Sequence, residues 1–88
     1  MYEGLSFDLE NIVRGLKLGD GIIIENKPGH IIERSMGYVY EITTSYLRLA
    51  PGRNPSFFLE RLSQWRASFA RHHYKYINQI RIVDPILR

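Results

Sequence analysis

The chain has 88 residues, which is enough for a single small domain and too short for two, so we predict one domain over residues 1–88. It contains no cysteine, which excludes disulfides, zinc–thiolate sites and thiol nucleophiles and fits a reducing, cytoplasmic location. The longest aliphatic run, residues 22–24, is far shorter than the roughly 20 residues of a membrane span, so no membrane partner is expected.

The charge of the chain is unevenly distributed along its length. The net charge is +3. Residues 1–44 hold four cationic and seven acidic side chains, a net charge of −3, whereas residues 45–88 hold eight and two, a net charge of +6. Such a division predicts either a basic face for a polyanion or head-to-tail attraction between copies of the chain.

The first half begins with a short predicted helix and continues as strands. Ser6 can cap a helix over residues 7–16, where apolar residues recur at helical spacing. We expect strands at 22–25 and 46–50, with a longer extended stretch at 30–43 between them. Pro and Gly at positions 28 and 29 fit a type II turn, and Gly37 suggests a bulge.

The second half is predicted to be dominated by one long helix. Asn54-Pro55 is a favourable helix start, and apolar or aromatic residues then recur every three or four positions as far as Tyr76. Residues 78–79 are expected to form a turn and residues 80–83 the last strand.

The strand region resembles the Sm-like and Src-homology-three-like small barrels over residues 7–50. The residues that carry this resemblance are Gly19, Asp20, Ile22 and Ile24, then Gly37, Val39 and Ile42, then Tyr46, Leu47 and Leu49. The resemblance implies a closed five-stranded barrel, and a helix before the first strand is more Sm-like. A long helix before the last strand departs from the family pattern, so its base-contacting residues are not carried over. The predicted fold is therefore mostly β with helices (α+β).

A basic face on the long helix is the main functional candidate. Lys and Arg side chains on a rigid helix suit phosphate groups, and Tyr74 and Tyr76 could add base stacking. We therefore predict a non-enzymatic protein that binds RNA or DNA. The predicted contact residues are Arg53, Arg61, Arg66, Arg71, Lys75 and Arg81.

The alternative is a protein–protein or homo-oligomeric assembly module without nucleic-acid binding. The long helix is apolar on more than one side near its start, and a small barrel cannot cover it alone. This uncovered apolar surface predicts a homo-oligomer whether or not nucleic acid is bound. The predicted interface residues are Phe57, Phe58, Trp65 and Phe69.

Catalysis, a metal site and a cofactor are not expected. His72 and His73 are adjacent, so on a helix they would point about 100° apart and could not share one ion, and His30 adds no helpful spacing. The carboxylates are scattered, and neither a nucleophile elbow nor a glycine-rich phosphate loop is present.

Overall fold

The computed structural model describes residues 2–53 and 69–86. In this part of the chain one helix is followed by five strands, with a single 3-10 turn before the last strand. The elements are α1 (Phe7–Gly15), β1 (Gly21–Asn26), β2 (Arg34–Ile42), β3 (Tyr46–Ala50), β4 (Arg71–His73), the 3-10 turn Tyr74–Tyr76 and β5 (Ile77–Asp84).

The strands form one antiparallel sheet in the order β4-β3-β2-β1-β5. Within the described residues the sheet is open, with β4 and β5 as its two edges. The predicted closed barrel is therefore wrong. Closure needs hydrogen bonds between the two edge strands, and the only described partner of the three-residue β4 is β3.

The predicted long helix before the last strand is also wrong. Residues 71–73 form a strand and 74–76 a 3-10 turn, while residues 54–68 of the predicted helix lie outside the described part of the chain. The helical spacing of the apolar residues does not decide the structure here. Residues 71–73 pair with β3 instead, which places His72 opposite the core residue Leu47. Tyr74, which is off the predicted apolar stripe, is fully buried and donates a 2.7 Å hydrogen bond from its hydroxyl to the Thr43 carbonyl.

The hydrophobic core lies between α1 and the inner face of the sheet. Alternate residues of β1, β2 and β3 point inward, and a register shift in β5 lets Ile77 and Ile80, three positions apart, both do so. Val13 and Leu16 cover them from the helix side. Each fully buried aliphatic side chain contributes about 1.5–3 kcal/mol. The buried strand residues are Ile22, Ile24, Val39, Leu47, Leu49, Ile77 and Ile80.

Several local predictions are confirmed. The Ser6 hydroxyl caps α1 by accepting a hydrogen bond from the Leu9 amide, and β3 spans the predicted residues. Gly29 has φ +91°, and the His30 amide donates to the Lys27 carbonyl, as a type II turn requires. The predicted turn at 78–79 is wrong, since both residues belong to β5.

The predicted irregularity in β2 lies two positions beyond Gly37. The register with β3 shifts between Val39 and Glu41. Gly37 has a different role, because a Cβ there would lie 2.9 Å from the Leu49 Cβ. A residue without a side chain is thus needed for β2 and β3 to approach each other at this position.

Asp20 links the loop before β1 to the end of the chain. Its side chain is fully buried and accepts hydrogen bonds from the amides of Lys17, at 2.8 Å, and Ile86, at 2.9 Å. These two backbone donors satisfy the buried side-chain oxygens and tie the loop to Ile86. We therefore assign Asp20 a structural role.

Candidate nucleic-acid interface

The edge strand β4 displays polar side chains on the outer face of the sheet. The register pairs Tyr46 with His73, Leu47 with His72, and Arg48 with Arg71. Since Leu47 points into the core, His72 points the same way, and its neighbours Arg71 and His73 point outward.

Tyr46 lies between the two outward side chains of β4. The Arg71 guanidinium carbon is 5.3 Å from the centroid of the Tyr46 ring, within the range of a cation–π interaction. The His73 ring centroid is 5.6 Å from the same ring, at an interplanar angle of 61°. One tyrosine ring therefore has a cation and an imidazole as neighbours.

A second cluster of the same kind forms at the 3-10 turn after β4. The Lys75 ammonium lies 5.1 Å from the centroid of the Tyr76 ring, and the His30 ring lies 5.2 Å from it. His30 comes from the β1–β2 loop, which is held here because the Lys27 amide donates to the Tyr76 carbonyl at 2.7 Å. Tyr76 remains 44% exposed.

A cavity of about 310 Å³ joins the two clusters. It is lined by Glu3, Gly4, Ser45, His73 and Lys75, so it borders one residue of each cluster. We call the joined surface the basic–aromatic band. Its members are His30, Tyr46, Arg71, His73, Lys75 and Tyr76.

The described residues pair no carboxylate with the two cations of the band. Within residues 2–53 and 69–86, no carboxylate lies within salt-bridge distance of Arg71 or Lys75. The nearby Arg48 differs, since it forms a 3.1 Å ion pair with Glu41. Glu3 is the one acidic residue that lines the joining cavity.

His72 lies beneath the band and is kept uncharged. Burial lowers the pKa of His72 below its ordinary value of 6.5, and the neighbouring His30 and His73 lower that pKa further. The imidazole of His72 therefore packs as a neutral group at neutral pH.

The predicted site residue Arg53 lies in a different part of the molecule and is neutralised. Its guanidinium donates to the Gly19 carbonyl at 2.7 Å and to the Asp84 carbonyl, and forms a 3.2 Å ion pair with the Asp84 carboxylate. It also lies 4.9 Å from the Tyr38 ring centroid. We call this group the Arg53–Asp84 clamp, and it joins the end of β3 to the end of β5.

Of the remaining predicted contact residues, one is described and lies away from the band. Arg81 lies on β5, the opposite edge of the sheet from β4, in register with Ile23. Arg61 and Arg66 lie outside the described residues. Of the four predicted nucleic-acid contacts that are described, two, Arg71 and Lys75, belong to the band.

The predicted assembly interface is described at one residue. Phe57, Phe58 and Trp65 lie outside the described residues. Phe69 is half-buried, and its ring centroid is 5.1 Å from that of Tyr40. Phe69 therefore packs within the molecule.

Two absences are established for the described ranges. They contain no group of three or more His, Cys, Asp or Glu residues placed to hold a metal ion. None of their helices has the length and apolarity to cross a membrane.

Comparisons with known proteins leave the function to be argued from the site itself. No protein-family model matches the chain, and neither does any curated protein or solved structure.

Proposed function

We propose that this protein binds single-stranded nucleic acid through the basic–aromatic band and catalyses no reaction on it. The observation that carries the proposal is a pair of neighbouring clusters, one at β4 and one at the 3-10 turn that follows it, each of which places a cation on a tyrosine ring. Arg71 contacts Tyr46 and Lys75 contacts Tyr76, with no carboxylate paired to either cation among the described residues.

Each component of the band matches one component of a nucleic-acid strand. Arg and Lys neutralise phosphates and release condensed counterions, which favours binding at low salt. Aromatic rings stack on bases whatever their sequence, and in the band Tyr76 is exposed while Tyr46 is half-buried. Because bases inside a duplex are already stacked, rings of this kind favour single strands.

The test is a fluorescence anisotropy titration of the full chain with a labelled ten-nucleotide single strand. If Arg71 and Lys75 each neutralise one phosphate, the log–log slope of affinity against salt should be about −1.4. A duplex of the same sequence should bind more weakly. Inorganic polyphosphate, which has charge without bases, should also bind more weakly, because the tyrosines contribute nothing to it.

Two results would contradict the proposal. One is the absence of binding to any strand at low salt. The other is equal or tighter binding of polyphosphate, which would mean that the rings contribute nothing and that the band attracts any polyanion.

A second candidate function is assembly of identical chains, favoured by apolar residues on the outer face of β1, β2 and β5. Met36 is 75% exposed and stands in register with Ile23, and Val83 is 48% exposed. The opposite charges of the two halves of the sequence favour contact between copies. Light scattering together with the anisotropy titration would separate the two candidates. A stable oligomer that does not bind nucleic acid would support assembly as the function.

A further inference from the structure

We propose that the cavity between the two clusters of the band is a subsite for the ribose of RNA, in which Glu3 accepts a hydrogen bond from the 2′-hydroxyl. This inference rests on the proposed function and narrows its ligand from nucleic acid to RNA. It starts from a feature of the joining cavity that a general polyanion site does not explain, the acidic residue Glu3 in its lining.

The backbone around Glu3 is fixed against the rest of the band. The Glu3 amide donates to the Thr44 carbonyl at 2.7 Å, and the preceding Tyr2 ring packs edge-on against Tyr74. On the other side, Gly4 lies against the Lys75 backbone so closely that a Cβ at Gly4 would lie 3.0 Å from the Lys75 Cα. The positions of Glu3 and Lys75 on the two sides of the cavity are therefore set by the fold.

Glu3 and Lys75 nevertheless do not neutralise each other. Both residues are exposed and line the same cavity, yet no salt bridge joins them in the described part of the chain. The Lys75 ammonium lies instead over the Tyr76 ring. The cavity of about 310 Å³ thus has an acceptor and a cation that can act on two different groups of one ligand.

A ribonucleotide supplies those two groups on neighbouring atoms. Its 2′-hydroxyl can donate a hydrogen bond to the Glu3 carboxylate, while its 3′-phosphate contacts Lys75 and His73. The Ser45 hydroxyl can form a hydrogen bond with the 2′-hydroxyl or with the phosphate. A deoxyribonucleotide has no 2′-hydroxyl, so in that complex the Glu3 carboxylate faces a phosphate strand without a donor. The cavity therefore favours RNA, because RNA gains a hydrogen bond to Glu3. It disfavours DNA, because the Glu3 carboxylate repels the DNA phosphates and no hydrogen bond compensates for this repulsion.

The experiment compares three ten-residue uridine probes that have the same bases and different sugars. They are the ribose, 2′-deoxyribose and 2′-O-methyl forms, titrated against the full chain at one salt concentration. We expect the ribose form to bind about three- to tenfold more tightly than either of the others, as the net gain from one hydrogen bond at an exposed site predicts. The 2′-O-methyl probe retains the ribose oxygen but cannot donate.

Variants distinguish this role from plain electrostatic repulsion. Glu3→Ala should abolish the ribose preference, because the acceptor is lost while binding of the deoxyribose probe is unchanged or improved. Glu33→Ala makes the same charge change at an exposed residue outside the cavity and should retain the preference. If Glu3 acted only by repulsion, Glu3→Ala would improve binding of all three probes equally.

The failures of the two proposals are distinguishable. Equal binding of the ribose and deoxyribose probes would overturn the ribose subsite and leave the proposed function standing. A ribose preference that persists in Glu3→Ala would also overturn the subsite. Binding of none of the three probes would overturn the proposed function and the subsite together.

Discussion

The Arg53–Asp84 clamp and the basic–aromatic band both place a cation on a tyrosine ring, and they differ in what else that cation contacts. In the clamp, the Arg53 guanidinium is 4.9 Å from the Tyr38 ring and bonds to Gly19 and Asp84. In the band, Arg71 is at nearly the same distance from Tyr46, 5.3 Å, without a carboxylate partner in the described residues.

The difference shows that a ring contact alone does not assign a role to an arginine. The Tyr38 hydroxyl donates to the Asp84 carboxylate at 3.2 Å, so the clamp is a closed network of charge and hydrogen bonds. A cation in such a network stabilises the fold, and because its charge is neutralised and its donors are already bonded, it attracts a ligand only weakly. A cation without an acidic neighbour contributes little to stability and keeps its donors for a phosphate.

The largest expected effect is the loss of binding when the cations of the band are removed together. Arg71→Ala combined with Lys75→Ala should weaken binding of a single strand about 10- to 100-fold at low salt, because two phosphate contacts are lost. The affinity would be measured by anisotropy, and the salt dependence should become nearly flat.

Arg81→Ala is the matched control for the removal of charge, because Arg81 is equally cationic and lies on the opposite edge strand. We expect its affinity to fall no more than about threefold. If the loss of binding free energy per charge removed were the same in Arg81→Ala as in the double variant, the ligand would follow the overall charge of the protein and the band would have no special role.

The next effect is on stability and concerns the clamp. Arg53→Met keeps the alkyl chain and removes the guanidinium, which should lower the free energy of unfolding by about 1–2 kcal/mol, since hydrogen bonds to a charged donor are lost at a partly exposed site. The affinity for a single strand should stay the same. Urea denaturation followed by fluorescence would measure the change.

Arg53→Lys separates charge from geometry in the clamp. Lysine keeps the positive charge but lacks the planar fork that bonds to Gly19 and Asp84 together. We expect Arg53→Lys to lose most of the stability that Arg53→Met loses. Full stability in Arg53→Lys would mean that charge alone holds the clamp, and a loss of binding in either variant would contradict its purely structural role.

Secondary-structure elements that are determined by their own residues and immediate neighbours could be predicted from the sequence. The hydroxyl of Ser6 and the helical spacing of Val13 and Leu16 are enough to define α1, and Pro28-Gly29 is enough to define its turn. The alternation of Leu47 and Leu49 likewise defines β3. In each case the neighbouring residues supply both the pattern and the physical reason for it.

The region around β4 could not be predicted in this way, because its structure depends on distant partners. Three residues are too few to show an alternation, and His72 becomes inward-facing only through its pairing with Leu47. Tyr74 is buried because Thr43, 31 positions earlier, accepts its hydroxyl hydrogen. The spacing of aromatic residues beyond Phe69 therefore indicated a helix that the described residues 71–76 do not form.

The candidate site was predictable only in part for the same reason. The charge of the second half pointed to Arg71 and Lys75, which both belong to the band. Tyr46 and His30 come from a strand and a loop far earlier in the chain, so no spacing in the sequence links them to those cations. Arg53 showed the same charge as the others, and only the position of Asp84 reveals that it is neutralised.

The smallest expected effect is a dependence of stability on pH, caused by the neutral histidine beneath the band. The folded protein lowers the pKa of His72 below 6.5, so as the pH falls through 6.5 the unfolded chain gains a proton that the folded protein does not yet accept. Stability is thus full above that pH and declines below it. Urea denaturation at pH 7.5 and 5.5 should show this decline in the natural chain. His72→Gln should show a smaller decline.

His73→Gln should keep most of the decline, because burial lowers the pKa of His72 more than the neighbouring histidines do. An equal decline of stability in the natural chain and in His72→Gln would assign the pH dependence to other groups. It would contradict the conclusion that the folded protein keeps His72 neutral.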